Sequence, residues 1–257
     1  SGHVRVYKNE SGTWTQIGQD IDGEATFDYS GWSVSLSADG SIVAIGAKGN
    51  DDNGNLSGHV RVYKNESGTW TQIGQDIDGE ATFDYSGWSV SLSADGSIVA
   101  IGANSPYNGD GSGYVRVYQN ESGTWTQLGQ DLDGEAAGDQ SGFSVSLSAD
   151  GSIVAIGAPY NDGNGTSFGH VRVYKNESGT WTQLGQDIDG EAEYDYSGWS
   201  VSLSNDGSIV AIGAYQNDGN GRNSGQVRVY QNESGTWTQI GQDIDGEASD
   251  DFSGSSV

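Results

Sequence analysis

Trp32-Ser-Val-Ser-Leu-Ser-Ala-Asp-Gly-Ser-Ile-Val-Ala-Ile-Gly-Ala47 joins two strand signatures through a turn. Trp32 to Ser37 alternates apolar and small polar residues, the period of two that marks a half-buried strand. Ile42 to Ala47 is continuously apolar, as expected of a strand covered on both faces. Between them lies Ala38-Asp39-Gly40-Ser41, and Asp-Gly between two strand-like runs is a strong hairpin signal. A polar loop, Lys48 to Ser57, leads on to a third strand, Val60-Arg-Val-Tyr63. The turn Lys64-Asn-Glu-Ser-Gly68 and a fourth strand, Trp70-Thr-Gln-Ile73, follow, and Gln75 to Ser86 connects to the next such unit.

The pattern repeats. Ser1 to Ala47 recurs residue for residue as Ser57 to Ala103, and looser copies start at Ser112, Phe168 and Ser224. The units are 1–56, 57–111, 112–167, 168–223 and a partial 224–257, all within one repeat domain, 1–257. Four antiparallel strands recurring every 55 or 56 residues is the grammar of a propeller blade. The expected fold is therefore all-β, a β-propeller-type array of about five units with the partial one split between the termini. An open array is the other architecture the period allows. The chain starts inside a unit and has no Met, even at position 1, so a longer parent chain is expected. Ala44, Gly46 and Ala47 are small enough to let neighbouring sheets approach. Trp32 and Trp70 are expected to fill the wider outer gaps between blades. Trp88, Phe143 and Trp199 stand at the position of Trp32, and a recurring aromatic of this kind reads as core more readily than as a ligand platform.

Charge narrows the function classes. With 36 acidic and 10 basic residues the formal charge is −26, whereas phosphate binding needs clustered Lys and Arg. Nucleic acid is thus excluded as a partner. The same carboxylates suit hard cations such as calcium. No apolar run is long enough to span a bilayer, so this segment is not expected to insert into a membrane. Cys is absent, which rules out a disulfide framework.

Ser141-Gly-Phe-Ser-Val-Ser-Leu-Ser-Ala-Asp-Gly-Ser-Ile-Val-Ala-Ile-Gly-Ala-Pro159 resembles the FG-GAP repeats of integrin-α-like β-propellers, in the short-hairpin variety of bacteria and algae. Gly157-Ala158-Pro159 matches the Gly-Ala-Pro element, and Gly46-Ala47, Gly102-Ala103 and Gly213-Ala214 keep its first two residues. Ser-Gly replaces Phe-Gly at Ser30-Gly31, Ser86-Gly87, Ser141-Gly142, Ser197-Gly198 and Ser253-Gly254. The resemblance implies a propeller fold. It also implies calcium in a long Asp-rich loop between the first two strands, but here that loop is only Ala38-Asp39-Gly40. So short a hairpin cannot wrap a cation that takes six to eight oxygens.

Another carboxylate set is repeated in every copy: Asp20, Asp22, Glu24 and Asp28; Asp76, Asp78, Glu80 and Asp84; Asp131, Asp133, Glu135 and Asp139; Asp187, Asp189, Glu191 and Asp195; and Asp243, Asp245, Glu247 and Asp251. Two readings stand side by side. The carboxylates converge on calcium, or Asp and Gly simply build the inter-blade turn. Asn-Glu-Ser, an N-glycosylation sequon, places candidate acceptors at Asn9, Asn65, Asn120, Asn176 and Asn232. The competing reading is that Asn-Glu-Ser-Gly is a good turn. The loop after the second strand (Lys48 to Leu56, Asn104 to Gly111, Pro159 to Ser167, Tyr215 to Asn223) varies most, through drift or through recognition. Arg5, Arg61, Arg116, Arg172 and Arg228, each between valines, are expected to pair with carboxylates of a neighbouring strand or blade.

Catalysis finds little support. His3, His59 and His170 are one repeat position, occupied by Tyr114 and Gln226 elsewhere, and no single Ser, His and Asp set stands out. The expected function is an extracellular or cell-surface structural or adhesive module, whose partners are further repeat units or subunits of its assembly. The alternative is a multivalent carbohydrate-binding propeller with glycans held in inter-blade grooves.

Overall fold

The computed structural model describes all residues of the 257 except Asn108 and Asp110, which fall in the variable loop 104–111. The described residues contain no helix, so none is long and apolar enough to cross a membrane. Four blades repeat one plan. In the first, Ser33–Leu36, Ile42–Ala47, His59–Glu66 and Thr69–Gln72 pair antiparallel in sequence order. The two-residue strand Ile77–Asp78 then pairs with the start of the third strand, His59 opposite Asp78 and Val60 opposite Ile77. This adds to the four strands legible in the sequence. The outer strand breaks at Gly74, where φ is +79°, and resumes beside the same partner. Each blade takes its first two strands from one sequence copy and the rest from the next.

The continuously apolar second strand works as expected of a strand covered on both faces. Val43 and Ile45 join Val6, Ile21 and Trp70 on one side, while Ala44 joins Val60, Val62, Ile101 and Trp125 on the other. The cores thus lie between blades, and the same cluster recurs at the two following interfaces around Trp181 and Trp237. Trp70 is where the sequence puts it, buried in the gap between units. Its Nε1 donates to the Ile17 carbonyl at 2.7 Å, while Gln19 accepts from the Trp70 N–H and donates to the Trp70 carbonyl. The same clamp joins Gln75 to Trp125, Gln130 to Trp181 and Gln186 to Trp237.

First strands of successive blades lie against one another, which puts them at the centre of the fan. Their serines do the joining. Ser33 Oγ donates to the Gly87 carbonyl at 2.7 Å, and Ser35 Oγ accepts from the Leu92 N–H at 2.9 Å. Gly46 shows why small residues are needed: a Cβ there would sit 2.2 Å from the Gly87 carbonyl oxygen. Among the described residues no apolar cluster joins the last blade to the first. Two identical sequence positions therefore see different surroundings: Trp14 is 68% exposed, Trp70 3%.

Candidate functional site

Trp32 corrects the sequence reading. It is 50% exposed and fills no outer gap, because it stands at the entry to the innermost strand. Its ring lies 5.2 Å from Trp88, Trp88 lies 5.4 Å from Phe143, and Phe143 lies 4.4 Å from Trp199. One aromatic from each blade thus makes a continuous ladder around the centre. Tyr215 extends it, 4.2 Å from Trp199. The position is a platform, not core.

Above the ladder opens a cavity of about 750 Å³, walled also by Lys48, Tyr85, Asn104, Pro106, Tyr107, Gln140 and Tyr160. Several of these come from the variable loop, so the loop reaches the cup in different chemical forms from copy to copy. Tyr85 and Tyr196 hold φ of +55° and +54°, a left-handed backbone that bulky residues rarely adopt. Such strain persists only where surroundings enforce it and gathers at functional sites. The same turn recurs at Tyr29, Gln140 and Phe252, and of these five residues Tyr85 and Gln140 line the cup. Lys48 Nζ is sandwiched 3.0 Å from the Trp32 ring centre and 3.9 Å from that of Trp88, and burial pushes its pKa down to about 8. Burial likewise pushes Tyr85 and Tyr160 above the ordinary tyrosine value. Asn104 is buried, with its amide nitrogen 3.5 Å from Gln140 and its Oδ1 without a hydrogen-bond partner. The cup can therefore stack a ring face, accept a hydrogen bond from a hydroxyl and contact a cationic or anionic edge.

The repeated carboxylates go to separate tasks within each copy. Asp20 accepts from Arg5 and Gln16, the Asp22 carbonyl accepts from Arg61, Glu24 pairs with Arg61 at 3.2 Å, and Asp28 caps the Ala25 N–H. Asp76, Asp187 and Asp243 each accept from the Gln four residues earlier, and Asp131 from both Gln127 and Arg116. The carbonyls of Asp133 and Asp189 receive Arg172 and Arg228, whose side chains also pair with Glu135 and Glu191, as Arg116 does with Glu80. Asp84, Asp139, Asp195 and Asp251 close the same turn as Asp28. The arginines thus find the carboxylates expected of them. What does converge comes from different copies: Glu24 and Asp76 meet at Asp52 and His59, and Glu135 and Asp187 meet at His170. Burial, then the charge of Arg61, holds His59 below the usual histidine pKa. The histidines read in the sequence as one repeat position; their recurrence opposite a Glu was the available signal.

The sequon asparagines build turns. Oδ1 of Asn9, Asn65, Asn120, Asn176 and Asn232 accepts from the Gly N–H three residues on. In the last four, Nδ2, the atom that carries a glycan, is buried. The Asp39 hairpin is closed by Ser37 and Ser41 donating to its carboxylate, which holds its pKa down at about 2.

The family model described as FG-GAP repeat matches residues 21–63, 132–174 and 188–230, together half of the chain. No curated protein matches the sequence significantly. Among solved structures, the chain is similar to a protein named as a 6-phosphogluconolactonase from Bacteroides uniformis, with a TM-score of 0.64 and 13% identity over 95% of this chain and 66% of that one. A Bacteroides fragilis protein of the same name gives 0.63 and 13% over 96% and 66%. A hydrazine synthase from Kuenenia stuttgartiensis gives 0.50 and 14% over 77% and 51%. At these identities the likeness is one of fold. The chain spans just under two thirds of the length of the two Bacteroides proteins.

Proposed function

Because the chain belongs to the FG-GAP repeat family, we propose that it serves as an extracellular adhesive repeat module that binds glycans in the aromatic cup at the centre of its blades. The ladder of Trp32, Trp88, Phe143 and Trp199 carries this reading. Sugar rings offer an apolar face that stacks on indole, while their hydroxyls need polar partners of the kind Lys48, Asn104 and Gln140 provide at the wall. Binding at one axial cup replaces the inter-blade grooves, whose tryptophans are buried. The proposal assigns the chain recognition and no catalysis.

Intrinsic tryptophan fluorescence during titration with the hits from a glycan array tests it. Saturable quenching that disappears in Trp88→Ala and Trp199→Ala is the expected result. An array with no hits, or binding indifferent to both substitutions, would refute it. The uniform Gln–Trp clamps favour a second reading, a spacer with no ligand, and an empty array would leave that reading standing.

A further inference from the structure

We propose that Glu24, Asp52, His59 and Asp76 form a binding site for a divalent transition-metal ion of the zinc class. The inference goes beyond glycan recognition and involves none of the cup residues. The four side chains come from separate segments: the link entering the first blade, the variable loop, the head of the third strand, and the link leaving the blade. Their ligand atoms nevertheless all lie within 4.8 Å of one another.

His59 is the deciding residue. It is 1% exposed, and its Nδ1 has no hydrogen-bond partner. Nδ1 faces Glu24 Oε2 and Asp52 Oδ2, each 3.9 Å away. That is too long for a hydrogen bond. It suits an ion standing between the three atoms, since zinc keeps nitrogen and carboxylate oxygen at about 2.0–2.2 Å. An imidazole among carboxylates selects a borderline metal over calcium, whose ligands are oxygens.

The carboxylates are also held by neighbouring side chains. Arg61 takes the other oxygen of Glu24 at 3.2 Å, Gln72 donates to Asp76 at 2.5 Å, and Asn50 donates at 3.1 Å to Asp52 Oδ2, the oxygen that faces His59. Such outer partners orient ligands and tune affinity. Three carboxylates against one guanidinium leave a charge that a divalent ion neutralises.

The other copies act as internal controls. Tyr114, at the position of His59, donates to Asp84 at 2.7 Å, and Gln226 donates to Glu191 at 3.1 Å. There a hydrogen bond between protein atoms stands in place of the unpartnered nitrogen of His59, although Gln226 Oε1 is itself left without a partner. At His170 the cluster has three members, and Gly163 stands in the place of Asp52. The first site is therefore the tighter one.

Titration of the 257-residue chain with zinc chloride, read by calorimetry and by melting temperature, tests the site. One tight binding step with a rise in Tm is expected. It is kept in His170→Gln and in excess calcium, and lost in His59→Gln and Asp52→Asn. His59→Gln copies a residue already present at 226, and circular dichroism without metal checks its fold. Asp52→Asn, in an exposed loop, keeps the test open should that variant fail to fold. No tight step in the unaltered chain, tight binding that survives both substitutions, or displacement by calcium would each overturn the proposal.

Discussion

Lys48 occupies the position held by Asn104, Pro159 and Tyr215 in the other copies, and of these four it alone brings a charge to the cup. Burial lowers its pKa to about 8, from an unfolded value of about 10.4. Between those values the unfolded chain holds the proton that the folded chain has released, so this lysine makes stability rise with pH across that window. The buried tyrosines, pushed up from about 10, leave the lower part of it to Lys48. Thermal melts between about pH 8 and pH 10 should thus show a Tm gain for the natural chain relative to Lys48→Met. A parallel pair of curves would contradict this. Deprotonation also removes the cation–π contacts with Trp32 and Trp88, so indole fluorescence should step in the same range. None of this could be read from the sequence. A lysine after Gly-Ala looks like an ordinary loop residue until Trp32 and Trp88 are placed on either side of it.

The strand order, hairpins and buried second strand were legible because each depends on local pattern: alternation before Asp39-Gly40 and continuous apolarity after it. Which end of a blade faces the centre is a relation between blades, and local pattern carries no signal for it. That is why Trp70 was placed correctly and Trp32 was not. The broken outer strand escaped notice for a related reason, since Gly74-Gln-Asp76 has the composition of a link although the chain rejoins the same sheet. The link also holds the clamp. Gln75 both donates to the Trp125 carbonyl and accepts from its N–H. Gln75→Ala removes both bonds and should cost about 1–3 kcal/mol, visible as a Tm loss of several degrees in a calorimetric scan. An unchanged Tm would mean that the apolar contacts alone hold neighbouring blades together.

Across the whole molecule, stability in a stacked array is a sum of units and nearest-neighbour interfaces. Against that sum works a formal charge of −26, because like charges brought together by folding repel. Raising ionic strength from about 0.01 M to about 0.15 M shortens the screening length from about 30 Å to about 8 Å. Tm should rise over that interval, followed by scanning calorimetry in sodium chloride. A fall would show that the Arg–Glu pairs between blades outweigh the net repulsion.

Trp14 and Trp70 sit in identical stretches of sequence, one with its indole in solvent and the other beneath a neighbouring unit. The chain therefore contains its own isogenic control. Trp14→Ala is expected to cost no more than about 0.5 kcal/mol, and Trp70→Ala about 3–5 kcal/mol. Sequence context cancels in the difference, which leaves the worth of one blade resting on the next, measured in a single protein with no outside reference.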